Sequence, residues 1–236
     1  MILVDHVTKN FGRLKAINDI SFTIKQGEIV GFLGQNGAGK TTLMRMLTSY
    51  LLPSAGKVVV AGHDVMTAPI LVRAKIGYLS ENPPLYDHMT TREYLRFAAQ
   101  LKNISHRQER THIDRVLTAC DLKEVEHKTI GILSKGFKQR IGIAQAIIND
   151  PEVLILDEPT NGLDPIQILQ VRALIKSLEH KHTVIISTHI LSEIEHIAQR
   201  ILIIKSGHIV ADASLKNLLT AQEASSLEEA FIKLCA

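Results

Sequence analysis

The chain has only two cysteines, Cys120 and Cys235, among 236 residues. That is too few for a disulfide framework and suits a reducing cytoplasm. Long hydrophobic runs are missing as well. The longest are about five or six residues, against the roughly twenty that a membrane-spanning helix needs. No charged segment followed by an apolar stretch opens the chain, so no secretory leader is expected. Neither sign of charge is in marked excess: the formal net charge is +3 and no Lys/Arg block stands out, so nothing calls for nucleic acid. The eleven histidines are scattered, and His180-Lys181-His182 reads as a solvated helix-to-strand connection rather than a metal site. There is no internal repeat and no low-complexity tract. What remains is a chain whose 45% hydrophobic content is enough for one sizeable core, with room for a subdomain.

The glycine-rich run Gly34-Gln35-Asn36-Gly37-Ala38-Gly39-Lys40-Thr41-Thr42 lies between an apolar strand, Ile29–Leu33, and the start of a helix spanning Lys40 to Thr48. Glycines there permit backbone angles that a side chain forbids. Consecutive N–H groups can then turn inward around phosphate oxygens, backed by a helix N-terminus. Lys40 would reach the β- and γ-phosphates of ATP, and the Thr41 hydroxyl would help hold Mg²⁺. This pattern in strand–loop–helix context implies nucleotide binding and leaves the reaction open.

A reaction is suggested further on. Val153-Leu154-Ile155-Leu156 is an apolar strand ending in Asp157-Glu158. Asp157 stands where a P-loop NTPase places its Mg²⁺ carboxylate, and Glu158 can orient water and accept its proton. An ordinary acidic pair at a strand end is the plainer alternative. Pro159 and the turn-like Thr160-Asn161-Gly162-Leu163-Asp164-Pro165 weigh against it, because they fix a sharp loop after the pair. His189 follows a third apolar strand, Thr183–Ser187. Open α/β sheets bind ligands at strand carboxyl ends, so His189 is a candidate γ-phosphate contact.

Between these segments stands Leu133-Ser134-Lys135-Gly136-Phe137-Lys138-Gln139-Arg140. With the glycine loop and Asp157-Glu158 in this order, the chain resembles, over nearly its whole length, the nucleotide-binding subunit of ATP-binding cassette (ABC) transporters. The resemblance implies an α/β P-loop NTPase of the ABC ATPase type, with a mixed sheet core, an antiparallel β part and a helical subdomain. It implies that Ser134, Lys135, Gly136 and Phe137 form a signature that reaches across a dimer onto the partner's γ-phosphate. A hydroxyl at Ser134, close backbone approach at Gly136 and a helix carrying Ile141, Ala144 and Ile148 on one face fit that role. By the same resemblance Phe11 stacks on adenine, and Asp164 sits in the loop that crosses the dimer interface.

Two departures from the family pattern are visible. The usual signature has glycine at its third and fourth positions and glutamine at its fifth; here the run is Leu-Ser-Lys-Gly-Phe. Glu81, in Ile76-Gly77-Tyr78-Leu79-Ser80-Glu81, stands where the family places a glutamine. Glutamate keeps the acceptor oxygen but adds charge, so Mg²⁺ ligation by Glu81 stays an open alternative. Both variants resemble the ABC-2 export branch.

Along the chain, short strands are expected at Ile2–Val7, Ile20–Ile24, Val58–Val60 and Ile76–Leu79. Asn82-Pro83-Pro84 breaks the pattern. Thr90 and Glu93 read as a capping box, ahead of two helical stripes: Tyr94, Phe97, Ala98, Leu101 and Ile113, Val116, Leu117, Cys120. One ABC ATPase domain over 1–236 is therefore expected, with a nucleotide-binding core at 1–81 and 150–236 and a helical subdomain at 82–149. Val171, Leu174, Ile175 and Leu178 mark a further helix, and Leu227, Ala230, Phe231 and Leu234 a docked C-terminal one. The expected function is ATP hydrolysis by a homodimer or paired ABC ATPase, with ATP and Mg²⁺, driving a permease on a separate chain from the inner face of the membrane. A soluble cassette ATPase acting on DNA or ribosomes is the alternative. Those usually carry a long coiled-coil insertion or two cassettes, and neither is present in this sequence.

Overall fold

In the computed structural model, which describes residues 2–179 and 181–235, the chain opens on a hairpin. Ile2–Phe11 (β1) and Leu14–Ile24 (β2) pair antiparallel, with Phe11 opposite Leu14 across a two-residue turn. Both strands run several residues beyond the apolar segments that marked them, because polar, part-exposed residues continue the ladder. Ile29–Gly34 (β3) ends at the glycine loop, and Lys40–Leu47 (α1) leaves it. Ala55–Val60 (β4) pairs with the free side of β1 and with the two-residue His63–Asp64 (β5), giving a four-stranded antiparallel sheet in the order β2-β1-β4-β5. Pro69–Lys75 (α2) leads directly into Ile76–Leu79 (β6).

The next stretch is helical. Thr91–Leu101 (α3) starts at the expected capping box: the Thr90 side chain accepts from the Glu93 N–H, and the Glu93 carboxylate accepts from the Thr90 N–H. His106–Ala119 (α4) buries Ile113, Val116 and Leu117, with Cys120 just beyond it. The stripe on α3 is rotated from expectation. Leu101 is 67% exposed, and Leu95 and Ala99 are buried beside Tyr94 and Ala98. That face meets α4 and Lys135–Ile147 (α5), whereas the sequence pattern alone cannot say which flank of a helix its neighbours cover.

The remaining elements return to the sheet. They are Val153–Asp157 (β7), Pro165–Ser177 (α6), Thr183–Thr188 (β8), the single turn Leu191–Ile194 (α7), Arg200–Lys205 (β9) and His208–Ala213 (β10). The chain closes with Leu215–Ala221 (α8) and Leu227–Cys235 (α9). The second sheet has the order β10-β9-β3-β8-β7-β6 and is parallel except for β10. The molecule is thus α/β with a mixed sheet and a separate antiparallel part. No helix among the described residues is long and apolar enough to cross a membrane.

Strands β3, β7 and β8 are buried from end to end because alternate side chains feed two cores. Leu33, Leu154, Leu156, Val184 and Ile186 face the helices α3 to α9. Val30, Phe32, Ile155 and Ile185 face α1 and the antiparallel sheet. Helix α5 is buried on nearly all sides. It approaches β6 so closely that a methyl group at Gly77 would overlap the Ala146 carbonyl, which is why glycine stands there. Helix α9 docks through Leu227 and Ala230, with Phe231 and Leu234 packed beside them.

His182 corrects the sequence reading. It is 4% exposed, and its Nδ1 lies 2.6 Å from the Pro151 carbonyl oxygen, so it closes the loop before β7 from inside. A polar flank on both sides hid a histidine whose partner is distant in sequence. His180 lies outside the described residues.

Candidate functional site

The parallel order brings the carboxyl ends of β3, β8 and β7 side by side. At the first of these, Gly37 and Gly39 have φ of +80° and +114°, angles that turn the loop back on itself and start α1. A Cβ on Gly39 would also sit 2.8 Å from the Ala16 carbonyl oxygen. Lys40 is 7% exposed, and its ammonium donates to the Gly34 carbonyl at 2.7 Å and the Gln35 carbonyl at 3.3 Å. Burial pulls its pKa down from the ordinary lysine value, while the charges of Glu158, Asp157 and Glu81 pull it back up. A cation held this way is already largely dehydrated and faces acidic neighbours.

At the end of β7, Asp157 is 2% exposed and lies opposite Ser187 in the β7–β8 register. The Ser187 hydroxyl donates to it. Burial pushes the Asp157 carboxyl above the usual carboxylate range; Glu158 and Glu81 add to the rise, and the Ser187 bond and Lys40 oppose it. Glu158 adopts a φ of +50°, uncommon for a residue with a side chain, and its N–H donates to the Ser187 carbonyl at 2.9 Å. This kinked backbone turns the Glu158 carboxylate toward His189, whose Nδ1 lies 2.9 Å from Glu158 Oε2. Asn161 donates to the exposed Glu81 carboxylate at 3.2 Å.

These groups surround a cleft of about 520 Å³. Its walls include Phe11, Asn36, Gly37, Gly39, Lys40, Thr41, Thr42, Glu81, Glu158 and His189. Gly34 and Asp157 do not line it, while Gln35 and Ala38 line a separate small cavity beside Ile204 and Cys235. Leu14, Ala16 and Asn161 also line the cleft and were not foreseen. Leu14 and Ala16 come from β2, which arrives there only through hairpin pairing. Ser187 was seen as the end of a strand, but its bond to Asp157 depends on register between two strands.

Ser134, Lys135, Gly136 and Phe137 do not line this cleft. Ser134 caps α5 and accepts from the Phe137 N–H. Gly136 packs against the Gln167 side chain, and the Lys135 ammonium lies on Gly162. Asp164 caps α6, accepting from the N–H groups of Ile166 and Gln167 at 3.0 and 2.9 Å. The signature segment and the Asp164 loop thus form one packed, exposed edge apart from the cleft.

Among the described residues no group of three or more His, Cys, Asp or Glu converges as a metal cage. The donor set nevertheless suits Mg²⁺, which is commonly held by one carboxylate and substrate phosphates and keeps several waters. A buried Asp157 whose ionisation is disfavoured gains from a cation beside it.

The comparisons agree with this geometry. The family model described as ABC transporter matches residues 17–161. The bacitracin transport ATP-binding protein of Bacillus licheniformis is 40% identical over 220 residues, covering 92% of this chain and 71% of that protein. The daunorubicin resistance ATP-binding protein of Streptomyces coeruleorubidus is 36% identical over 218 residues, covering 92% and 69%. A solved ATP-binding subunit of an ABC transporter superposes with a TM-score of 0.89 at 27% identity, covering 99% of each chain. A dimeric ATP-binding cassette in a post-hydrolysis state, bound to ADP and Pi, gives a TM-score of 0.82 at 25% identity, covering 91% of this chain and 99% of that one. Motifs, sheet order and relatives converge: the chain belongs to the ABC transporter family, as one of its ATP-binding, ATP-hydrolysing subunits.

Proposed function

We propose that this subunit hydrolyses Mg²⁺-ATP in a two-fold dimer and drives an export permease on a separate chain, working from the cytoplasmic face of the membrane. Export is supported by the bacitracin transport and daunorubicin resistance relatives. Dimerisation is supported by the dimeric cassette and by the placement of Ser134–Phe137 away from their own cleft. A helix end that does not face its own phosphate loop can cap a partner's, and two-fold symmetry makes both caps equivalent. Residues 1–81 and 150–236 then act as the nucleotide-binding core, and 82–149 as the helical subdomain that carries the cap.

In this reading Phe11 stacks on adenine, while the N–H groups of Gly34–Thr42 and the Lys40 ammonium cradle the phosphates. Mg²⁺ bound by Thr41 and Asp157 supplies charge neutralisation at the triphosphate. Glu158 orients water and accepts its proton. His189 meets the Glu158 carboxylate through Nδ1 and faces the part of the cleft where the γ-phosphate would lie. Asp164 and its loop relay the state of one cleft to the other across the interface. Loss of the γ-phosphate loosens the dimer, an order-and-closure switch.

The observation that carries this proposal is Glu158, held by His189 on the wall of the phosphate-loop cleft. Glu158→Gln should bind ATP with near-parental affinity, lower kcat by about a hundredfold or more, and accumulate an ATP-dependent dimer by size-exclusion chromatography. Parental turnover in that variant would place the general base elsewhere.

A further inference from the structure

Glu193 is an acid that the foregoing chemistry leaves unused. It sits on α7, four residues after His189, and is 2% exposed. One oxygen, Oε2, accepts from the Thr188 hydroxyl at 3.3 Å; the other, Oε1, is buried without a hydrogen-bond partner. The Thr188 hydroxyl in turn accepts from the Ile190 N–H at 3.0 Å. A hydroxyl that spends its proton on Glu193 keeps its lone pairs for Ile190, so the carboxylate locks the turn that presents His189. On its other side Glu193 faces the buried Thr160 hydroxyl, two residues after Glu158, close enough to favour the ionised acid without closing a full hydrogen bond. Arg172 on α6 donates to the Ser192 carbonyl at 2.9 Å and holds α7 from outside.

Stability alone does not explain a carboxylate here. Burial pushes the Glu193 carboxyl above the usual range and the charge of Glu158 adds to the rise, while Thr160, Thr188 and the Arg172 charge oppose it. A buried acid with one oxygen left without a hydrogen-bond partner carries a desolvation cost that its bond to Thr188 offsets only in part. The location is the informative part: Glu193 lies between the loop after β7, which carries Glu158, and the loop after β8, which carries His189.

We infer that Glu193 is a positioning residue for ATP hydrolysis: by accepting from Thr188 and facing Thr160, its buried carboxylate fixes the spacing of His189 and Glu158. This rests on the proposed roles of those two residues. Glu193 is buried and does not line the nucleotide cleft, so it acts through the two loops. Small misplacements of reacting groups are enough to cost large factors in rate.

The test uses the full chain, with kcat and KM for ATP and the melting temperature measured together. Glu193→Leu keeps most of the volume and removes the acceptor. It should melt no lower than the parent, lower kcat by about tenfold or more, and leave KM within about threefold. Glu193→Gln, which restores an acceptor, should recover kcat to within about threefold of the parent. In a His189→Ala background, Glu193→Leu should add clearly less than its loss in the parent, since one of the two residues whose spacing it sets is gone. Thr188→Val removes the bond from the opposite side and should reproduce the loss in kcat, which keeps the inference testable if Glu193→Leu does not fold. A smaller loss in a folded variant, a loss that tracks melting temperature, or the full loss repeated in the His189→Ala background would overturn it. Turnover in the parent that survives Glu158→Gln would instead remove the reading beneath it.

Discussion

Asp157→Asn should make the protein more stable while disabling it. The side chain is 2% exposed, accepts from Ser187, and has its carboxyl pushed up chiefly by burial. Asparagine keeps the shape and the oxygen that faces Ser187 but carries no charge to desolvate. Replacing a whole buried ion pair with neutral groups is neutral or gains about 1–4 kcal/mol, and neutralising an acid whose charge burial disfavours acts in the same direction. Here Ser187 and Lys40 already offset part of the cost, so a gain near the lower end, about 1 kcal/mol, is expected. For a chain of this size that is a rise of about 2–4 °C in Tm. The sign with pH follows from linkage. A carboxyl whose folded pKa is raised binds its proton more tightly when folded, so its ionisation opposes folding. The cost is absent below the unfolded value of about 4 and complete above the raised folded value. The Tm gap between variant and parent should therefore open as pH rises through that window and then stay constant. Thermal melts at a series of pH values read this directly. With Mg²⁺-ATP added, the parent should gain stability and the variant should lose the Mg²⁺-dependent part of that gain. A variant that melts lower at neutral pH, or a gap independent of pH, would refute the reasoning.

Gly77→Ala should destabilise the fold by about 1–3 kcal/mol, because the new methyl meets the Ala146 backbone oxygen, which cannot rotate away; chemical denaturation would show it as a lower midpoint. Phe11→Ala should weaken ATP binding by about tenfold, the loss of one base–aromatic stack, and should weaken GTP binding equally, as equilibrium titration of both would reveal. Glu81→Gln should change stability by less than about 0.5 kcal/mol, since the side chain is exposed and its bond to Asn161 lies at the surface. Its Mg²⁺ dependence of turnover should match the parent's if Glu81 is not a ligand, and should shift if it is.

Much of the architecture was legible because its signals are local. The apolar runs of β3, β7 and β8 announce strands covered on both faces, the glycines announce a loop, and Thr90 with Glu93 announces a helix start in four residues. Their burial and capping match these signals. What stayed hidden depends on pairs far apart in the chain. The parallel order that lines up three strand ends cannot be read from any one strand. His182 looked solvated because its neighbours are polar, yet its partner is Pro151. The flank of α3 that is buried depends on where α4 and α5 lie, so Leu101 was misplaced and Leu95 missed. In the cleft, contact between Glu158 and His189 spans 31 residues and that between Asn161 and Glu81 spans 80. Residue types made those positions candidates; only the fold says which of them meet.

The close fit of α5 against β6 turns that helix into a lever. It runs 13 residues, about 20 Å, from the cap at Ser134 to the point where Ala146 bears on Gly77. Strand and helix are so close at that bearing that a displacement of one is felt by the other. A tilt of about 5° there would swing Ser134 by about 1.7 Å, given the length of the rod. A shift of that size is large on the scale that governs reactive geometry. Gly77, Ala146 and Pro151, which meet at the bearing and do not line the nucleotide cleft, therefore hold leverage over where the far end of the helix lands.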